Sequence, residues 1–149
     1  MSGAAGTDGY AARGHAVTAV EPVAEMRAHG KRLHPQAGIA WIDDGLPDLV
    51  RVAGEFDLVM LTAVWMHLDA AERRRGMARL AGLTAPGSHI VLSLRHGPVP
   101  PGRRMFDVSA AETVALAAPH GLLPAFEAAR ASLYKADVHW TQLVLRRAD

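Results

Sequence analysis

The stretch that decides the fold is FDLVMLTAVWMHL, residues 56–68. Its first six residues are apolar except for Asp57, which is typical of a strand covered on both faces of a parallel sheet. The apolar run continues to Met66, interrupted by Thr62, and ends at His67. We therefore predict an α/β fold built around residues 56–61.

The alternation of strands and helices continues on both sides of this stretch. Apolar runs predict strands at 15–20, 38–42, 89–94, 122–127 and 138–145, and helix-start signals predict helices at 22–28, 69–80 and 109–118. Strands separated by helices argue for a parallel sheet with right-handed crossovers. The last two strands follow one another without a helix, so we expect that pair to be antiparallel.

Local signals define the ends of these elements. Gly30 is expected to stop the first helix. Residues 69–72 form a capping-box variant and residues 109–112 a full capping box, and the arginines at 73–75 are expected to face water. The sequence APGS at 85–88 predicts a turn before the next strand.

Composition restricts the function. The 149 residues predict one domain, with residues 1–10 flexible; half are hydrophobic, which argues against disorder. The net charge of +1 lacks the basic footprint of a nucleic-acid binder. The lack of cysteine excludes disulfides, cysteine-zinc sites and thiol nucleophiles. No signal peptide, spanning segment, metal-ligand spacing or P-loop is visible, so we expect a cytoplasmic protein without a metal site.

Four segments in order resemble the class I S-adenosylmethionine-dependent methyltransferases, over about residues 11 to 147. They are VTAVEP at 17–22, IDDGLP at 42–47, the stretch at 56–68 and APGS at 85–88. The resemblance implies a Rossmann-like methyltransferase fold, with a mostly parallel sheet and a C-terminal antiparallel strand pair. It also implies S-adenosyl-L-methionine as cofactor.

The resemblance assigns the cofactor contacts. Glu21, followed by Pro22, would bind the ribose hydroxyls; the alternative is a carboxylate that favours the start of a helix. Asp43 would accept a hydrogen bond from the adenine amino group, and the backbone amide of Asp44 would face the ring. After the strand at 56–61, Thr62, Ala63 and Val64 would line the methionine side.

The acceptor side is assigned in the same way. Trp65 and His67 would lie near the acceptor pocket, with His67 as a catalytic base, since imidazole titrates near neutral pH. The alternative for His67 is a hydrogen bond that orders the loop. Arg95 and His96 would cap the pocket, with Arg95 attracting an anionic acceptor; the alternative is a surface loop stiffened by proline.

The family's first strand and its GxGxG turn have no full counterpart before residue 11, so we expect an N-terminally truncated form of the fold. Gly3 and Gly6 are either remnants of the cofactor-binding turn or part of a floppy terminus. The missing strand would leave two strands either paired directly or with open edges. Open edges are association sites, so we expect homodimer formation through them. A truncated reading frame remains the other explanation.

These observations favour methyl transfer from S-adenosylmethionine to a small-molecule acceptor, with no nucleic-acid or membrane partner. The alternative from another class is a non-catalytic protein of this fold that binds a partner chain. A nicotinamide oxidoreductase is less favoured, because its GxGxxG fingerprint is absent.

Overall fold

The computed structural model describes residues 7–35 and 38–149. The chain forms two compact units, Met1–Ala53 and Gly54–Asp149. Gly3 and Gly6 lie outside the described residues. The single domain over residues 1–149 and the N-terminal truncation stay predictions.

The first unit contains helix α1 (Thr7–Ala12), strand β1 (Val17–Val20), helix α2 (Ala24–Leu33) and strand β2 (Ile39–Ile42). The two strands are parallel, with Val20 opposite Ile42. The backbone N–H of Glu21 donates to the carbonyl of Ile42 at 3.1 Å, which extends the pairing by one step. The carboxyl ends of both strands therefore lie side by side.

Helix α1 occupies residues that were predicted to be flexible. The backbone N–H of His15 donates to the carbonyl of Tyr10 at 3.1 Å. The two rings also meet edge to face, with 6.0 Å between their centroids. These contacts hold the end of the helix against the segment that leads into β1.

Gly30 does not stop the second helix, so that prediction was wrong. Helix α2 continues to Leu33, and Gly30 is buried within it. A Cβ atom added at Gly30 would lie 2.7 Å from Cζ3 of Trp41, too close for any real contact. The close approach of the β2 tryptophan therefore explains a glycine that costs about 1 kcal/mol in helix propensity.

The second unit begins with strand β3 (Phe56–Leu61), which matches the predicted strand residue for residue. Helix α3 (Ala70–Leu83), strand β4 (Thr84–His96), helix α4 (Ala110–Ala117), strand β5 (Leu122–Ala131) and strand β6 (His139–Arg147) follow, with 3-10 turns at Trp65–His67 and Ala118–His120. The sheet order is β3-β4-β6-β5. Strand β3 is parallel to β4, and β6 is antiparallel to both β4 and β5, which confirms the predicted C-terminal pair.

The core of this unit lies on one face of the sheet. Alternate residues of β4 and β6 are at most 1% exposed: Ile90, Leu92, Leu94, Leu143 and Leu145. Met77 and Leu80 of α3 are buried as well, at 0% and 2% exposure. Each large apolar side chain contributes about 1.5–3 kcal/mol to stability on burial, so these residues stabilise the part of the sheet that carries the carboxyl end of β4.

The predicted turn at residues 85–88 is an interruption within a longer strand. Phe56 pairs with Thr84, but Leu58 pairs with His89, so two steps on β3 face five on β4. The extra residues bulge away from the ladder at Gly87, whose φ is +77°. A proline and a left-handed glycine are compatible with a bulge, which local sequence signals do not distinguish from a turn.

One of the two predicted capping boxes forms completely. Asp69 accepts from the backbone N–H of Glu72, and the Glu72 side chain accepts from that of Asp69, both at 2.8 Å. Ser109 accepts from the backbone N–H of Glu112 at 3.1 Å, and no reciprocal bond from the Glu112 carboxylate is formed. The predicted full box at 109–112 is therefore only half made.

Arg73 explains why. The sequence predicted a water-facing side chain, which was wrong, since Arg73 is 7% exposed. Its guanidinium donates to the carbonyl of Leu68 and pairs with the Glu112 carboxylate at 3.2 Å. A buried charge requires such a partner, so Glu112 neutralises Arg73 instead of closing its own helix start.

Each of β1 and β3 has a single neighbouring strand among the described residues, β2 and β4 respectively. Homodimer formation through open strand edges stays a prediction. None of the helices in the described part of the chain is long and apolar enough to cross a membrane.

Candidate functional site

The first unit places two carboxylates at the carboxyl edge of its parallel sheet. Glu21 directly follows β1 and Asp43 directly follows β2. Oε1 of Glu21 accepts a hydrogen bond from the backbone N–H of Val23 at 3.1 Å. No partner within the described residues engages Oε2, and the residue is partly exposed. One oxygen thus orients the side chain, and the other can accept from a ligand.

Arg27 joins the two strand ends, a role that the sequence analysis missed. Its Nη1 donates to the backbone carbonyl of Glu21 at 2.8 Å and lies 3.3 Å from Oδ1 of Asp43. Arg51 approaches the other oxygen of Asp43 at 3.7 Å. The Asp43 side chain remains 53% exposed, and a carboxylate offers about four lone-pair positions, so acceptor capacity remains. The sequence signal was a basic residue in the first turns of the helix after Glu21.

Asp44 holds the loop that follows β2. Its carboxylate accepts from the backbone N–H of Gly45 at 2.9 Å and of Arg51 at 2.7 Å. Burial raises the pKa of Asp44, but these backbone donors outweigh it and hold the pKa below its usual value of 3.8. The predicted role concerned the backbone amide of Asp44, and it stays a prediction.

Replacing Asp44 by Asn should destabilise the protein by about 1–2 kcal/mol at neutral pH, because two hydrogen bonds to a charged acceptor are weakened. A lowered folded-state pKa contributes stability above the unfolded value, and this is lost as the pH falls through the folded value. The difference between wild type and variant should therefore shrink between about pH 5 and about pH 2. Urea unfolding across that range measures it. Asp57→Asn, at an exposed carboxylate, is the control, and equal behaviour of both variants would refute the role.

In the second unit, the loop after β3 has a constrained backbone. Ala63 has a φ of +55°, a left-handed conformation that non-glycine residues rarely adopt. Its backbone N–H donates at 2.8 Å to Oγ of Ser93 on β4, which is 6% exposed. Such strain persists only where the surroundings enforce it, commonly at functional sites. Ser93 was missed by the sequence analysis; its signal was one polar residue within an apolar strand.

Three of the predicted residues of this loop have different environments. Thr62 is exposed and Ala63 is partly buried, as contact with a ligand requires. Trp65 is 0% exposed, and its indole N–H has no partner among the described residues. Its ring packs inside the core of the unit, and its predicted place near the acceptor pocket stays a prediction.

His67 is exposed, and its Nδ1 lies 3.3 Å from the carbonyl oxygen of Arg104. Because a carbonyl can only accept, this contact requires the proton on Nδ1 and leaves Nε2 as the acceptor nitrogen. The same hydrogen bond that orders the loop thus leaves a nitrogen able to take a proton. Both interpretations of His67 are compatible with this geometry.

Arg104 fixes the loop between β4 and α4. Its guanidinium donates to the carbonyl of His67 at 2.7 Å, to Glu72 at 3.0 Å and to Asp69 at 3.1 Å. Backbone N–H donors in the capping box, together with Arg104, lower the pKa values of Asp69 and Glu72. The backbone N–H of Phe106 also donates to the carbonyl of Met66 at 2.8 Å. Residues 104–106 are thereby held against the start of α3.

The predicted acceptor residues Arg95 and His96 point to different tasks. Arg95 donates to the carbonyl of Pro98 at 2.9 Å and lines two adjoining cavities. His96 contacts Asp107 through Nδ1 and Thr141 through Nε2, both at 2.9 Å. Both ring nitrogens of His96 are therefore occupied, and neither cavity is lined by it. The ring connects the loop to the sheet, and the predicted role of His96 in capping the acceptor pocket stays a prediction.

The structure therefore places Glu21, Pro22, Asp43 and Asp44 together in the first unit, at the ends of β1 and β2. Thr62, Ala63 and His67 lie after β3 in the second unit. No group of three or more metal-ligating side chains occurs in the part of the chain that is described.

Comparisons with known proteins agree with this architecture. Residues 2–92 match the family model described as a methyltransferase domain. No curated protein matches the chain in sequence.

Solved structures give the same result at low identity. A Methanosarcina mazei structure titled as a SAM-dependent methyltransferase has a TM-score of 0.77 at 12% identity, over 94% of this chain and 85% of that one. The 1,6-didemethyltoxoflavin-N1-methyltransferase of Burkholderia thailandensis, with bound 1,6-didemethyltoxoflavin and S-adenosylhomocysteine, has a TM-score of 0.71 at 20% identity, over 93% and 64%.

A third similar structure is the magnesium protoporphyrin IX methyltransferase of Synechocystis, crystallised with bound SAM. Its TM-score is 0.74 at 17% identity, over 95% of this chain and 64% of that one. At these identities the likeness establishes the fold, which is the Rossmann-like one predicted from the sequence. The present chain spans 64% of each of the last two proteins.

Proposed function

Because this chain belongs to the class I S-adenosylmethionine-dependent methyltransferase family, we propose that it transfers a methyl group from S-adenosyl-L-methionine to a small-molecule acceptor. The carboxylates of Glu21 and Asp43, side by side at the ends of two parallel strands, carry the proposal. Both lie within the matched residues 2–92.

The chemistry of this donor set suits the nucleoside part of the cofactor. Ribose hydroxyls and the adenine amino group are hydrogen-bond donors, and a carboxylate is an acceptor at every lone pair. Glu21 has one carboxylate oxygen without a partner in the described chain, and Asp43 is half-exposed. We propose that Glu21 binds the ribose hydroxyls and that Asp43 binds the adenine amino group.

In the second unit, Thr62 and Ala63 are proposed to hold the methionine part. The hydrogen bond from the Ala63 N–H to Ser93 Oγ fixes the Ala63 backbone before any ligand binds, so little ordering cost remains. Gly3 and Gly6, the predicted remnants of the cofactor turn, are proposed to contact the same methionine part of the cofactor.

The bound cofactor supplies a methyl group that its sulfonium already makes electrophilic. This chain must therefore orient the acceptor, exclude water and remove the acceptor's proton. We assign the last task to His67, whose Nδ1–H is directed to the Arg104 carbonyl and whose Nε2 is the basic nitrogen. Arg95 is proposed to attract the acceptor.

The small size of the acceptor and a cytoplasmic location are part of the same proposal. The net charge of +1 lacks the strongly basic balance that is typical of nucleic-acid binders. The Burkholderia and Synechocystis enzymes named above carry the names of small-molecule acceptors, which supports a small-molecule acceptor for this chain.

Calorimetric titration of S-adenosylhomocysteine into the full chain tests the proposal. We expect micromolar binding, followed by methyl transfer when acceptors are screened with the methylated cofactor. A chain that is folded by circular dichroism but binds no S-adenosylhomocysteine would refute methyl transfer and favour the alternative, a non-catalytic protein that binds a partner chain.

A further inference from the structure

The second unit contains a groove that none of the cofactor contacts uses. It lies between the end of β4, the loop at residues 98–105 and the β5–β6 hairpin, and has a volume of about 300 Å³. Its lining combines cationic side chains with aromatic and thioether ones: Arg95, Arg103, Lys135, Tyr134, Trp140 and Met105.

Among the described residues, the three cations of the groove have no carboxylate partner. Within residues 7–35 and 38–149, Arg27, Arg51, Arg73, Arg104, Arg146 and Arg147 all pair with carboxylates. Arg95 instead donates to the carbonyl of Pro98, and no ion pair engages Arg103 or Lys135. Asp137 lines the smaller adjoining cavity of about 240 Å³ but forms no ion pair with these groups. A local excess of positive charge therefore remains.

A further cation, Arg130, lies on strand β5 beside one residue of the groove. Arg95 on β4 pairs with Trp140 on β6, and Trp140 pairs with Arg130 on β5. Residues directly opposite each other on neighbouring strands share one face of the sheet. The Trp140 indole therefore lies between two arginine positions, with Arg103 and Lys135 supplied by the adjoining loops.

This arrangement selects a ligand by two properties. Positive charge without an internal partner favours an anion, and guanidinium groups match a carboxylate with two parallel hydrogen bonds. Aromatic faces beside the charges favour a planar ring. The volume is at the lower end of the ~300–1,000 Å³ found for small-molecule sites, which suits a single ring.

We propose that this groove binds an aromatic carboxylate and that the methyl acceptor belongs to this class. The identification of the bound carboxylate as the methyl acceptor rests on the proposed methyl transfer. Binding of the anion is argued from the residues of the groove alone.

Calorimetry on the full chain without cofactor tests it, with 4-hydroxybenzoate as the probe and 4-hydroxybenzamide as its neutral counterpart of similar shape. We expect the carboxylate to bind at least about tenfold more tightly, and this preference to fall as salt screens the charges. Equal binding of both probes, or no binding of the carboxylate, would overturn the proposal. Inorganic phosphate that competes as strongly as the carboxylate would reduce the groove to a general anion site and also overturn it.

Variants locate the binding. The double substitution Arg103→Gln with Lys135→Gln should weaken carboxylate binding about tenfold, since each exposed pair contributes up to about fivefold. Arg74→Gln, which removes one positive charge on the exposed side of α3, should leave the affinity unchanged. An unchanged affinity in the double variant would overturn the assignment.

The same titrations separate the two proposals. The double variant should keep its affinity for S-adenosylhomocysteine, and Glu21→Gln should keep its affinity for 4-hydroxybenzoate. Carboxylate binding without S-adenosylhomocysteine binding would refute the proposed methyl transfer alone. The reverse result would refute the groove alone.

Discussion

Glu21→Gln is expected to weaken S-adenosylhomocysteine binding about 10- to 100-fold. Hydrogen bonds to a charged acceptor contribute about 1.5–3 kcal/mol, and each 1.4 kcal/mol corresponds to a factor of about ten. The substitution keeps one amide oxygen, which can still accept from the Val23 N–H at the position of Oε1. It removes the charge and replaces the second acceptor by a donor that repels a hydroxyl hydrogen. Calorimetry gives the two dissociation constants.

The control is Glu25→Gln, which makes the same charge change on the exposed surface of α2 in the same unit. Its affinity should match that of the wild type. Urea unfolding of both variants separates loss of binding from loss of folding. If Glu21→Gln binds as tightly as wild type, the ribose role is wrong and Glu21 serves only the start of α2.

Gly97→Ala is expected to destabilise the second unit by about 2–6 kcal/mol. Gly97 has a φ of +124°, which costs an alanine about 1–3 kcal/mol in backbone strain. An added Cβ would also meet the hairpin backbone, at the Asp137 carbonyl oxygen and 3.2 Å from Cα of Val138. Backbone atoms cannot rotate away as a side chain can, so a further loss of about 1–3 kcal/mol follows from overpacking. Urea unfolding measures the sum.

Gly102→Ala in the same loop is the matched control. Gly102 also has a positive φ, of +75°, but an added Cβ would meet nothing within 4 Å. It should therefore show the strain alone, and the difference between the two variants measures the contact of the loop with the hairpin. Val138, whose Cα atom the added Cβ would approach, lines the groove, so Gly97→Ala should also weaken 4-hydroxybenzoate binding. Equal destabilisation by both substitutions would contradict the contact.

Much of the fold could be predicted from local sequence signals. Residues 56–61 form a strand, as their apolar run predicts, although Leu61 is the one residue of the strand that is buried. Asp69 begins α3 because its carboxylate caps a backbone N–H. The positions of Glu21 and Asp43 could be predicted because each residue follows an apolar run, and the end of such a run marks the end of a strand. The hairpin of β5 and β6 followed from two apolar runs with no helix between them.

Other features needed partners distant in sequence. Gly30 carries a helix-breaking signal, and only the Trp41 ring on another element shows that the helix continues past it. Arg73 stands within an arginine run that reads as solvated, until Glu112 arrives from another helix to pair with it. Trp65 stood beside the predicted site in sequence but rotates into the core.

The sequence by itself therefore determined the order of strands and helices and the carboxylates at the strand ends, because periodicity, caps and breakers act within a few residues. Tertiary structure alone decided the left-handed Ala63 held by Ser93, the linking role of Arg27 and the cationic groove of Arg95, Arg103 and Lys135. Each of these depends on atoms brought together from different elements. Ion pairs and close contacts depend on the distances in space between residues that are far apart in sequence. The spacing of residues along the chain does not give those distances.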